Sequence, residues 1–144
     1  MRKIKFRAWR HDGEYSHMIE SPIGVYTAIK HCLGVATPAG FSDIDNQPKK
    51  DGYTLMQWTG LKDRNGKEIY EGDIIRIRYH KWPKDDWEVY QVKYYGDKDY
   101  PAFDTEPYIG CDCNGLLYVM TCCEIEVIGN IFENPELLEV GKLE

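Results

Sequence analysis

The cysteines are the residues of this chain best suited to chemistry. Cys111 and Cys113 lie two apart, and Cys122 and Cys123 are adjacent. Residues two apart on a strand share a face. If Asn114-Gly115 is a turn and residues 116–121 form the strand after it, a hairpin could gather Cys111, Cys113, Cys122 and Cys123 into a four-thiolate zinc set. The spacing argues against this, because two to four residues usually separate the members of a zinc-binding pair. Adjacent strand residues also point to opposite faces, which aims one of Cys122 and Cys123 away. The plainer reading is a set of free thiols packed as small hydrophobes, with no cofactor.

A second constellation is basic and aromatic. Arg76 and Arg78 fall on one side of a strand over residues 74–79. Lys93 lies opposite on a following strand, and Trp58, Trp87, Tyr90 and Tyr94 are near. Cations beside stacking rings are the equipment of single-stranded nucleic-acid binding, here Arg76, Arg78, Lys93 and Tyr94. The competing reading is a solvated polar face over an aromatic core. The net charge of −6 weighs against the first, since affinity for phosphate comes from Lys and Arg displacing counterions.

Other groups form weaker patterns. His11, His17, His31 and His80 do not cluster, and none has a histidine four residues on. Asp85, Asp86, Asp97, Asp99, Asp104 and Glu106 are carboxylates, but paired-carboxylate chemistry needs two held at a defined separation, one with a raised pKa. Loop carboxylates at these spacings are usually solvated. The stretch from Gly60 to Gly66 lacks the Lys-Ser/Thr ending of a phosphate-binding loop. No catalytic residue is assigned, and the chain is expected not to be an enzyme.

The elements that would position these groups are mostly strands. Ile4, Phe6 and Ala8 alternate with Lys5, Arg7 and Trp9 in the period of a half-buried strand, and Asp12-Gly13 then turns the chain toward a returning strand over residues 15–19. Ser21-Pro22 reads as a helix entry, with Val25, Ile29, Cys32 and Leu33 on one face and Gly34 closing it. The β-branched and aromatic residues between 23 and 29 leave a strand open there. Residues 35–52 read as a loop. Further strands are expected over 55–59, 74–79, 87–95, around Phe103, and over 116–121 and 125–131. Turns fall at Asn65-Gly66, Glu71-Gly72-Asp73 and Gly96-Asp97, and Asn134-Pro135 opens a short helix over 136–140. This spacing indicates a small barrel or sandwich.

With 144 residues, 42% of them hydrophobic and 13% aromatic, the chain has apolar surface for a single core, and the aromatic content leans toward β structure. No window approaches the roughly 20 apolar residues of a membrane span. The opening residues are charged and then polar, unlike a signal peptide. Five cysteines, an odd number, then fit reduced thiols in the cytoplasm.

Three segments resemble the YopX-like proteins of phages and prophages. They are Lys3-Ile4-Lys5-Phe6-Arg7-Ala8-Trp9, the long stretch from Leu55-Met56-Gln57-Trp58-Thr59-Gly60 to Glu71-Gly72-Asp73-Ile74-Ile75, and Glu126-Val127-Ile128-Gly129-Asn130 to Glu136-Leu137-Leu138. They cover somewhat more than a quarter of the chain, in family order. The resemblance implies a phage-encoded or prophage-encoded bacterial protein, and a mainly β fold with an SH3-like barrel from about Tyr53. It supplies no catalytic residues. In physical terms the shared segments are structural. Gly60, Gly66, Gly72 and Gly129 sit where turns, bulges or close backbone approach exclude a side chain, and Asp63 and Asp73 are placed to accept backbone hydrogen bonds.

The expected organisation is an N-terminal strand and hairpin segment with a variable loop over 1–52, then an SH3-like barrel with a short C-terminal helix over 53–144. The expected function is noncatalytic binding or assembly through a protein partner or self-association as a homo-oligomer, exposed edge strands and aromatics favouring the latter. Nucleic-acid regulation through the Arg76/Arg78 face and a zinc-containing module or metal-dependent enzyme are the alternatives. No membrane partner is expected.

Overall fold

The computed structural model describes residues 3–32, 52–79, 87–96, 101–109 and 113–140. The chain divides into two compact units, Met1–Trp58 and Thr59–Glu144. Strands dominate, in two antiparallel sheets, one of them a curled half-barrel, with a few short helices.

In the first unit, β1 (Phe6–Arg10) pairs antiparallel with β2 (His17–Ile19), placing Ala8 opposite Ile19. The expected turn at Asp12-Gly13 tightens into a 3-10 turn over Gly13–Tyr15. It is held by the Ser16 hydroxyl, which accepts the Asp12 N–H at 2.9 Å and donates to the Gly13 carbonyl at 2.8 Å. The other edge of β1 pairs with the start of β3 (Tyr53–Lys62), from Phe6 opposite Gln57 to Arg10 opposite Tyr53. β1 is therefore a central strand, and Arg7, Ala8 and Trp9 are all buried where simple alternation predicts one wet face.

Helix α1 (Pro22–Cys32) starts where Ser21-Pro22 predicts, with the Ser21 hydroxyl accepting the Gly24 N–H at 3.3 Å. Its inward face is Val25 and Ala28, with Ile29 and Cys32 half-buried. The cap decides for helix over the strand that the β-branched content left open.

The second unit holds the end of β3, then β4 (Glu68–Tyr70), β5 (Asp73–Tyr79), β6 (Glu88–Tyr94), β7 (Phe103–Glu106), α2 (Gly115–Cys122), β8 (Cys123–Asn130) and α3 (Leu137–Val140). One sheet has the order β7-β6-β5-β8. In the other, of order β2-β1-β3-β4, β3 passes through the boundary between the units. Ile69, Ile75, Ile77, Val92, Leu116, Val119, Ile125 and Val127 form the core of the second unit. The turns behave as their residue types predict. Gly66 has φ +81° in the Asn65-Gly66 turn, where a Cβ would be strained. Asp63 Oδ1 accepts the Asn65 and Lys67 N–H groups at 2.8 and 2.9 Å, and Asp73 Oδ2 accepts the Tyr70 N–H at 2.8 Å.

One expectation is corrected. Residues 116–121 are helix α2, not a strand, and Asn114-Gly115 is a helix start, not a hairpin turn. Asn114 Oδ1 accepts the Leu117 N–H at 2.8 Å. The carboxylate of Asp104, on β7, takes the N–H groups of Gly115 and Leu116 at 3.3 and 3.0 Å. Three donors left open by the first helical turn are thereby bonded. Leu116 and Val119, three apart, then share the core-facing side of the helix.

Candidate functional site

From Ile75 to Arg78, β5 alternates. Ile75 and Ile77 enter the core, and Arg76 and Arg78 take the opposite face. The register with β8 puts Glu126 directly across from Arg76 and Glu124 across from Arg78. Arg76 Nε and Nη2 donate to Glu126 Oε2 at 3.0 and 2.6 Å. Arg78 Nη2 reaches Glu124 Oε2 at 2.5 Å, and Arg64 Nη1, from the turn after β3, reaches the same oxygen at 2.7 Å. Trp87, just ahead of β6, carries both strand guanidinium groups over its ring, at 4.4 Å for Arg76 and 5.1 Å for Arg78.

The result is a face of three arginines, two glutamates and one indole. The arginine side chains remain 34% to 45% exposed. Exposed ion pairs contribute little stability one at a time, but here they hold three planar cations in set orientations, two of them above a ring. Arg64, Glu124 and Glu126 escaped the sequence reading. The signal for the two glutamates was present, since Glu124 and Glu126 alternate with the apolar Ile125 and Val127 in the same period as Arg76 and Arg78.

The other two proposed nucleic-acid residues lie elsewhere. Lys93 shares the outward side of the sheet, but it is four residues along β6 from Val89, the partner of Arg76, or about 13 Å. It pairs instead with Glu106 at 3.2 Å. Tyr94 alternates to the other side and packs its ring against Phe103, centroids 5.2 Å apart.

α2 also decides the placement of the cysteines. Cys113 precedes its N-terminus and Cys122 ends it, a separation of roughly 12 Å along an eight-residue helix. Cys111 lies outside the described residues. Cys122 and Cys123 are together, their sulfurs 3.5 Å apart, and the Cys122 thiol donates to the Tyr118 carbonyl at 3.0 Å. Burial, with the hydrogen bond to Cys122 second, raises the pKa of the Cys123 thiol. Among the described residues, no group of three or more His, Cys, Asp and Glu side chains could hold a metal ion.

Beside Cys123, Tyr79 and Tyr90 are both raised above the ordinary phenol value, chiefly by burial. In Tyr90 the second cause is the hydrogen bond from its hydroxyl to Glu88 Oε2, at 2.6 Å. Both hydroxyls therefore stay protonated at neutral pH.

The described histidines have structural contacts. His11 Nε2 meets Thr54 Oγ1 at 2.7 Å, His17 Nδ1 meets the Tyr15 carbonyl at 2.9 Å, and His31 packs edge-on against Tyr53. Of the carboxylates singled out in the sequence, Asp104 is fully buried as the cap of α2, and Asp85, Asp86, Asp97 and Asp99 lie outside the described residues. No helix among the described residues is long and apolar enough to cross a membrane.

The profile of the family described as YopX protein matches residues 5–139, nearly the whole chain. The chain belongs to the YopX family. The match runs through the turn segment around Asp63, through β5 and β8, and through Arg64, Arg76, Arg78 and Trp87, so the candidate face lies inside the YopX region. Among solved structures, this YopX protein is similar to protein EF1440 from Enterococcus faecalis. The identity is 23%, the match covers 96% of this chain and 99% of that one, and the TM-score is 0.51, a likeness of fold. No curated protein matches it.

Proposed function

We propose that this YopX-family chain is a noncatalytic binding protein of phage or prophage origin, acting in the cytoplasm of a bacterial host on a protein partner. The partner contacts the face of Arg64, Arg76, Arg78 and Trp87. Its phage origin rests on the family likeness. The observation that carries the binding reading is the pairing of the cations. Arg76 is bonded to Glu126, and Arg64 and Arg78 share one oxygen of Glu124. A cation already matched by a carboxylate must give up that partner, or share itself with it, to neutralise a phosphate, so it gains little from displacing the counterions of a nucleic acid. Oriented guanidinium groups around an indole instead match the arginine and tryptophan enriched at the centres of protein interfaces.

The test is capture with tagged protein from host lysate, followed by analysis for both protein and nucleic acid. A partner in stoichiometric amount that is retained by the parent chain and lost from Trp87→Ala and Arg76→Ala supports the reading. Nucleic acid that is released by salt, with no protein retained, overturns it in favour of nucleic-acid binding through the same arginines.

A further inference from the structure

Cys122 and Cys123 take no part in that face, yet their sulfurs are in van der Waals contact at 3.5 Å. We propose that they form a reversible oxidation site, closing to a disulfide between neighbouring residues on meeting a dialkyl disulfide such as oxidised glutathione. Two features of the local structure carry this.

The first is the approach of the sulfurs. A disulfide needs them about 2.05 Å apart. Adjacent residues on a regular strand send their side chains to opposite faces. Here the helix ends at Cys122, and Cys123 opens β8 with φ −132° and ψ 167°. That change of backbone at the junction turns both side chains to one place. Closure requires rotation at this junction and loss of the Cys122 bond to the Tyr118 carbonyl, and α2 ends there in any case.

The second is the strain of the closed form. Successive Cα atoms lie about 3.8 Å apart across a trans peptide, shorter than the roughly 4.4–6.8 Å usual for a disulfide. A strained disulfide is more oxidising than a structural one and is readily reopened by thiols. The site therefore suits reversible closure rather than a permanent staple.

The exchange balances without another reactant. Cys122, as thiolate, attacks one sulfur of the oxidant and expels the first thiolate, leaving a mixed disulfide. Cys123 then loses its proton and attacks the Cys122 sulfur, expelling the second thiolate. The two protons of the cysteines end on the two released thiols, and the two electrons reduce the disulfide of the oxidant. Cys123 is the slower of the two, because burial keeps its thiol protonated.

The experiment treats the folded chain with oxidised glutathione, alkylates the remaining thiols and reads intact and peptide masses. The expected result is loss of two hydrogens from the peptide spanning Cys122 and Cys123, loss of label at both, and recovery of both labels in excess reduced glutathione. The double variant Cys111→Ser/Cys113→Ser should close in the same way, and Cys123→Ser should stop at a single glutathione adduct on Cys122. Full labelling of both residues after oxidant, a lasting glutathione adduct in the parent chain, or a bridge from either residue to Cys32, Cys111 or Cys113 would overturn the proposal.

Discussion

Asp104 Oδ1 accepts the N–H of Leu116 at 3.0 Å, so a strand residue caps a helix that begins eleven residues later in the chain. Asp104 is fully buried, and its second oxygen takes the Gly115 N–H. Replacing it with Ala leaves these donors buried without a partner. Each such group costs roughly 1–3 kcal/mol. We expect Asp104→Ala to lower unfolding stability by about 2–4 kcal/mol, with loss of helical signal. Asp104→Asn, which keeps an acceptor, should lose less. Urea titration followed by circular dichroism measures both. A midpoint unchanged in Asp104→Ala would refute the capping role.

The arginine face should behave in the opposite way. Its ion pairs are partly exposed, and such pairs are worth about 0–1 kcal/mol. Arg76→Ala and Arg78→Ala should therefore shift the unfolding midpoint little while weakening capture of the partner. A loss of stability as large as that of Asp104→Ala would show that the cluster serves the fold instead.

Raising the pH should destabilise the second unit. Tyr79 and Tyr90 are held above the ordinary phenol value of 10.0, and Cys123 above the thiol value of 9.0. Above these ordinary values the unfolded chain has released protons that the folded chain still holds. Stability is therefore full below pH 9.0 and falls as pH climbs past 9.0 and 10.0 toward the folded-state values. Unfolding midpoints across that range, with tyrosinate absorbance recorded in parallel, check both the sign and the late ionisation of the buried phenols. A midpoint that rises with pH would contradict it.

Much of this architecture was legible because its signals are local. Ser21-Pro22 and Asn65-Gly66 act through their own backbone neighbours, and the alternation over 74–79 follows from the pleat alone. The apolar residues of 116–121 fit a strand as readily as a short buried helix. Asn114 caps the helix locally, but two further donors are bonded by Asp104, a residue of another element, which the pattern of 116–121 itself does not contain. A hairpin and a helix place Cys113 very differently relative to Cys122, so the same missing partner hides the arrangement of the cysteines. The arginine face was half visible. Arg76 and Arg78 could be assigned to one side of a strand, but their pairing with Glu126 and Glu124 depends on a register some fifty residues distant, set with a β-bulge between Ile74 and Ile75.

The turn at Asp63 does more than reverse the chain. Its carboxylate takes the Val127 N–H at 3.0 Å, and the Arg64 N–H reaches the Ile125 carbonyl at 3.0 Å, so the outer rim of β8 is already bonded to the protein's own turn. At the far rim, on β7, the Phe103 carbonyl is taken by Asn114 Nδ2 and the Thr105 carbonyl by the Tyr95 hydroxyl. An incoming strand finds these main-chain groups occupied on both sides. An added strand would first have to displace these bonds, which weighs against edge-to-edge growth of the sheet.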